Sequence, residues 1–135
     1  IHWGDPAFDL GFGFGVLADP GVKLEYRRIT GPAIVWDDDP ASSRYNEWVD
    51  TSKVGAGVDP EPMFNQPAYN YGAVIAYNPE RIPGLGSAIF LHVTESGPTA
   101  GCVAIAQDDL VELLRWLDPA KRPRVVMGTP DTMTP

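Results

Sequence analysis

Bulky apolar residues recur along the chain in recognisably different rhythms. Residues 8–16 (FDLGFGFGV) alternate bulky and small side chains with the period of a strand, and the glycines leave room for close packing or a bulge. Residues 71–77 (YGAVIAY) and 87–93 (SAIFLHV) are nearly continuous apolar runs bounded by turn formers, the pattern of strands covered on both faces, and they are expected in the middle of a sheet. Residues 23–29 and 124–127 predict shorter strands, and residues 19–21 a turn. Helical spacing occurs only over residues 107–117, where Leu110, Leu113, Leu114 and Leu117 fall on one face, Asp108 and Asp109 sit in the first turn, and Pro119 blocks continuation. The segment 36–50 (WDDDPASSRYNEWVD) reads as a long loop. Asp37, Asp38 and Asp39 are expected to form a solvated turn, while Trp36, Tyr45 and Trp48 either pin the loop to the core or wall a cleft. The expected fold is mainly β, a single domain with one helix near its end.

Composition narrows the picture. Fourteen Gly and fourteen Pro in 135 residues disfavour a helical bundle, because Pro removes a backbone donor and Gly weakens helix interiors. A net charge of -8 opposes general attraction to phosphate backbones and anionic membranes, so no nucleic-acid partner is expected. No apolar run approaches the roughly 20 residues of a membrane-spanning helix, so an integral membrane protein is not expected. The GxGxG spacing within residues 11–15 lacks the third glycine and the following helix of a dinucleotide loop. The start at Ile1, without a signal-peptide pattern, reads as a mature product or a fragment, with export signals upstream.

One cysteine cannot make an internal disulfide, which leaves the Cys102 thiol to be explained. Cys102 follows a Pro/Gly-rich turn and precedes the helix, and His92 lies near the end of the apolar strand before that turn. A hairpin-like return would set thiol and imidazole side by side, and a thiol that ionises only slightly at neutral pH needs such a base to become a nucleophile. The alternative is a small buried hydrophobe and a satisfied core histidine, which for an arbitrary Cys and His is the commoner case. His2 has no partner in view, and one Cys with two His is a poor zinc set. Asp108, six residues after the thiol, stands where a phosphatase loop would need Arg.

The segment GSAIFLHV followed by GPTAGCVAI resembles the core of the L,D-transpeptidases, the YkuD-like family, with its strand His followed by S/T-x-G-C-[IV]. GDPAFDLGFGFG and YNYGAVIAYN resemble the family's TPxGxF segment and the strand before the histidine, so the likeness covers most of the chain and is closest to secreted actinobacterial members with a PTAGCV motif. The resemblance implies a YkuD-like mixed β-sheet or sandwich over residues 1–135, and it allows the family's first strands to lie upstream. It implies Cys102 as acylated nucleophile, His92 as base and the Val93 carbonyl as the group orienting the imidazole. Gly101, Thr99, Ala100 and Tyr71 would serve oxyanion and substrate binding. Ala100 stands where many members have His and Ala104 where many have Arg or Asn, so different substrate contacts are expected; the short His–Cys spacing implies a trimmed flap. Papain-like and NlpC-like peptidases place Cys before His and are excluded by chain order. The implied reaction is acyl transfer on peptidoglycan stem peptides without metal or organic cofactor, by a monomer in the cell envelope or outside the cell. The acids at 37–39 are candidates to attract the acceptor amine. L,D-carboxypeptidase activity and an inactive envelope-binding module are the alternatives.

Overall fold

The computed structural model describes residues 7–95 and 102–128. The main sheet has the order β2-β1-β6-β7-β8, built from Ala7–Gly15 (β1), Tyr26–Arg28 (β2), Gly72–Ile75 (β6), Phe90–Val93 (β7) and Val103–Ile105 (β8); Arg124–Val126 (β9) pairs with the first residues of β1. A smaller sheet of order β4-β3-β5 comprises Ile34–Asp37 (β3), Glu47–Asp50 (β4) and Glu61–Pro62 (β5). The helix α1 spans Gln107–Trp116. The architecture is therefore mainly β, with a mixed sheet and a single long helix among the described residues, in agreement with the fold class expected from the sequence.

Three layers follow from where the apolar side chains point. Ala73, Ile75, Leu91 and Val93 turn one face of the main sheet toward Leu110, Leu114 and Leu117 of the helical segment. The opposite face carries Phe14 and Phe90, which pack with Ile34 and Trp36 of the small sheet. Edge-to-face ring contacts tie the two sheets together, with Phe90 5.0 Å from Trp36 and 5.1 Å from Phe14. Gly72 is required beneath this cluster, because a Cβ there would lie 2.6 Å from the Phe14 ring.

β1 serves both layers although its bulky residues all fall on even positions. Its register against β6 shifts by one residue between Leu10 and Gly13. The extra residue turns the strand, so Phe8 and Leu10 join the helix-side core while Phe12 and Phe14 join the inter-sheet core.

Two sequence expectations need correction. Segment 36–50 is not a long loop: its two ends are strands of the small sheet, with Trp36 paired to Trp48 and Val35 to Val49. Nor is the Asp37–Asp39 run solvated throughout. Asp37 is completely buried and accepts hydrogen bonds from Ser42 Oγ, the Asp39 amide and the Gly57 amide, so it fastens two loops to the end of β3. Trp36 and Tyr45 are buried and Trp48 packs on the inter-sheet core, which makes them core residues.

Candidate functional site

β7 and β8 run parallel, with Leu91 opposite Val103 and His92 opposite Ala104. The hairpin-like return expected from the short spacing would have made them antiparallel; instead the chain re-enters the sheet in the direction it left. Cys102 lies one step before the Leu91–Val103 pair, beside Phe90, and the Phe90 amide donates to its sulfur at 3.4 Å. Opposite residues of a parallel pair share a face, so Cys102 and His92 are diagonal neighbours on the inter-sheet side, with about 8 Å expected between Cα atoms from strand rise and spacing. Both line one cleft of about 390 Å³ together with Asp38, Glu61, Tyr69, Ala88 and Glu95.

The imidazole is held on two sides. His92 Nδ1 lies 2.7 Å from the Val93 carbonyl oxygen, and the ring meets Tyr69 edge to face at 5.7 Å. A carbonyl only accepts, so Nδ1 carries the proton and Nε2 is the basic nitrogen of the neutral ring. Tyr69 is itself fixed by its hydroxyl, which donates to Glu61 Oε1 at 3.0 Å.

The Cys102 thiol donates to the Ala88 carbonyl at 3.4 Å. Burial pushes its pKa up, the Phe90 amide opposes that rise by stabilising the thiolate, and the Glu61 charge adds to it. A protonated thiol is therefore the resting species at neutral pH. Burial likewise raises the Asp38 carboxyl, with smaller contributions from the neighbouring Asp37, Asp39 and Asp59 charges.

The cleft brings together Cys102 and His92 from the sequence-derived candidates. Tyr71 lies elsewhere: it shares parity with Ala73 and Ile75 and packs against the helix-side core, whereas Tyr69, two residues earlier, lines the cleft. Thr99, Ala100 and Gly101 fall outside the described residues, as does His2. Of the three consecutive acids only Asp38 lines the cleft, since Asp37 is buried and Asp39 accepts from the Ala41 and Val58 amides. Sequence reasoning missed Glu61, Tyr69, Ala88 and Glu95. Glu61 sits in a two-residue strand with no periodic signal, and Tyr69 in a short turn that begins at Pro67. Among the described residues no group of three or more His, Cys, Asp or Glu side chains is arranged to hold a metal ion.

A β-rich domain whose lone cysteine shares an open cleft with a histidine is the class of protein that fold and site define. Residues 22–135 match the model of the YkuD family, the L,D-transpeptidase catalytic domain, and the chain belongs to that family. It is a family of enzymes that act on peptidoglycan. No curated protein and no solved structure matches the chain. No helix among the described residues is long and apolar enough to cross a membrane.

Proposed function

We propose that residues 1–135 form a catalytic domain that carries out acyl transfer on peptidoglycan stem peptides through a Cys102 acyl-enzyme. The observation that carries this reading is the placement of Cys102 and His92 on one sheet face and in one cleft, with the imidazole tied back through Nδ1. His92 Nε2 takes the Sγ proton as sulfur attacks the carbonyl between the third stem residue and the following D-Ala. Backbone amides near Gly101 and Cys102 receive the developing oxyanion, an assignment that rests on the family resemblance. The amide C–N bond then breaks, D-Ala leaves with the proton from His92, and a thioester remains. An amine of a second stem attacks the thioester, passes a proton to His92, and the thiol is restored as the cross-link forms. The Val93 carbonyl keeps the imidazole in the required tautomer throughout.

The cleft lining supports an amine-bearing ligand: it presents Asp38, Glu61 and Glu95, and no Lys or Arg among the described residues. This reading puts the protein at work outside the cytoplasm, as a monomer and without a cofactor.

Mass spectrometry of the protein after incubation with a stem tetrapeptide or a carbapenem tests the reading. An adduct is expected on the wild type and none on Cys102→Ala, with His92→Ala slowing its formation by about a hundredfold or more. Absence of any adduct on the folded wild type would leave a binding module. Products formed with and without an added amine acceptor separate cross-linking from hydrolysis.

A further inference from the structure

Ala88 adopts φ +56°, a left-handed conformation that a residue with a Cβ rarely takes and that surrounding structure must impose. Its carbonyl is the group that accepts the Cys102 thiol. What imposes the conformation is visible in the hydrogen bonds. The Ala88 amide donates to Asn46 Oδ1 at 3.2 Å, and the same oxygen accepts from Trp36 Nε1 at 3.0 Å. Asn46 Nδ2 donates to the Tyr77 and Asn78 carbonyls at 3.2 and 2.9 Å. All four bonding positions of this amide are thus used, and they link the β3–β4 hairpin to both ends of the segment running from Tyr77 to Ala88. Trp36, in turn, is buried against Phe90 in the inter-sheet core.

We propose that Asn46 is a positioning residue for the nucleophile: its amide clamps residue 88 in the left-handed conformation that aims the Ala88 carbonyl at Cys102 Sγ. The inference rests on Cys102 being the nucleophile and adds the device that holds its thiol. At rest the carbonyl accepts the S–H proton and sets the sulfur's direction. It also opposes a thiolate, because the negative end of the carbonyl dipole faces the sulfur. Ionisation then waits for His92 and substrate. The other titratable groups around the sulfur are His92 on β7, Glu61 on β5, Tyr69, Glu95 and Asp38, and none of them is among the four partners of the Asn46 amide.

The test is the pH profile of Cys102 alkylation by iodoacetamide, which reads the thiol whether or not peptidoglycan is turned over. Asn46→Gly keeps the backbone comfortable at the native φ of +60° while removing the amide. Releasing residue 88 removes the acceptor of the thiol and the dipole facing the thiolate, so the alkylation midpoint is expected to fall by about half to one pH unit, a three- to tenfold change in the thiol–thiolate ratio. Asn46→Asp keeps an acceptor for the Ala88 amide and adds negative charge, so its midpoint should not fall. Tyr45→Phe frees the Gly86 amide but leaves the clamp on Ala88, and should match the wild type. A folded Asn46→Gly protein with the wild-type midpoint, or a fall of equal size in Asn46→Asp or Tyr45→Phe, overturns the proposal. Amide exchange in the wild type reads the clamp without any substitution: slow exchange at Ala88 supports it, and exchange as fast as an open loop refutes it. Normal alkylation behaviour with no acyl transfer would overturn the proposed function and leave the clamp standing.

Discussion

Removing the Phe90 ring should uncouple the two sheets. Phe90 has no exposed surface, and its ring meets Phe14, Trp36 and Tyr69 edge to face at 5.1, 5.0 and 5.7 Å. Burial of a phenylalanine that cannot be backfilled is worth about 3–5 kcal/mol on truncation to Ala, and three aromatic edges place this site at about 4 kcal/mol or above. A domain of this size has an unfolding entropy of about 0.28 kcal/mol/K, so Phe90→Ala should lower Tm by about 14 °C. Urea unfolding followed by tryptophan fluorescence reads the effect, with Trp36 as the reporter against the ring. The midpoint should fall while the slope m stays constant. Because Phe90 flanks Cys102, the same variant should also speed alkylation of the thiol. A loss below about 1 kcal/mol would show that the ring cluster does not join the sheets, and the account of how the cleft is built would fail with it.

Further outcomes follow from the charges. Alkylation of wild-type Cys102 should show a midpoint above the ordinary thiol value, and Glu61→Gln should lower it without bringing it down to an exposed thiol, since burial is the larger cause; a midpoint below neutrality would reveal a preformed thiolate–imidazolium pair and refute the neutral resting state. Cys102, Tyr26 and Tyr69 all have raised pKa values, chiefly through burial, so the unfolded chain releases these protons first. Their stabilising contribution is complete below about pH 8.5 and is lost as pH rises through the folded pKa values, so the urea midpoint should decline in alkali, less steeply in Tyr69→Phe; a flat profile to pH 11 would contradict this. Asp37→Ala strands the Ser42 hydroxyl and two backbone amides and should cost about 3 kcal/mol or more, with faster hydrogen exchange at Gly57; unchanged exchange there would show that the carboxylate does not hold the loop.

Much of the main sheet was legible in the sequence because its strands carry their own apolar runs. β1, β6 and β7 fall within segments 8–16, 71–77 and 87–93 give or take a residue, and α1 starts at the first residue of the helical segment 107–117. The small sheet was not legible. Its strands are four, four and two residues long, and β3 ends in the acidic run that reads as a solvated turn. What makes Ile34–Asp37 a strand is Trp36 packing on Phe90, a contact between residues far apart in the chain. Strand direction was hidden for a related reason: side-chain alternation is the same whether β8 runs with or against β7. The Cys102–His92 pairing could be read from residue types and motif, whereas the acids facing it come from loops and a two-residue strand that only the assembled fold brings to the cleft.

The one-residue register shift in β1 makes the chain unequally tolerant of changes in length. Losing Gly11, inside the shift, would leave a regular ladder in which Phe8 and Leu10 still face the helix and Phe12 and Phe14 still face the small sheet. Losing Gly13, two positions further on, would also close the shift and keep Phe14 opposite Gly72, but Phe12 would take the place of Gly13 opposite Ala73, on the helix side, and its contacts with Trp36 and Trp48 would be lost. Natural or engineered deletions in this strand should therefore survive at the first glycine and fail at the second.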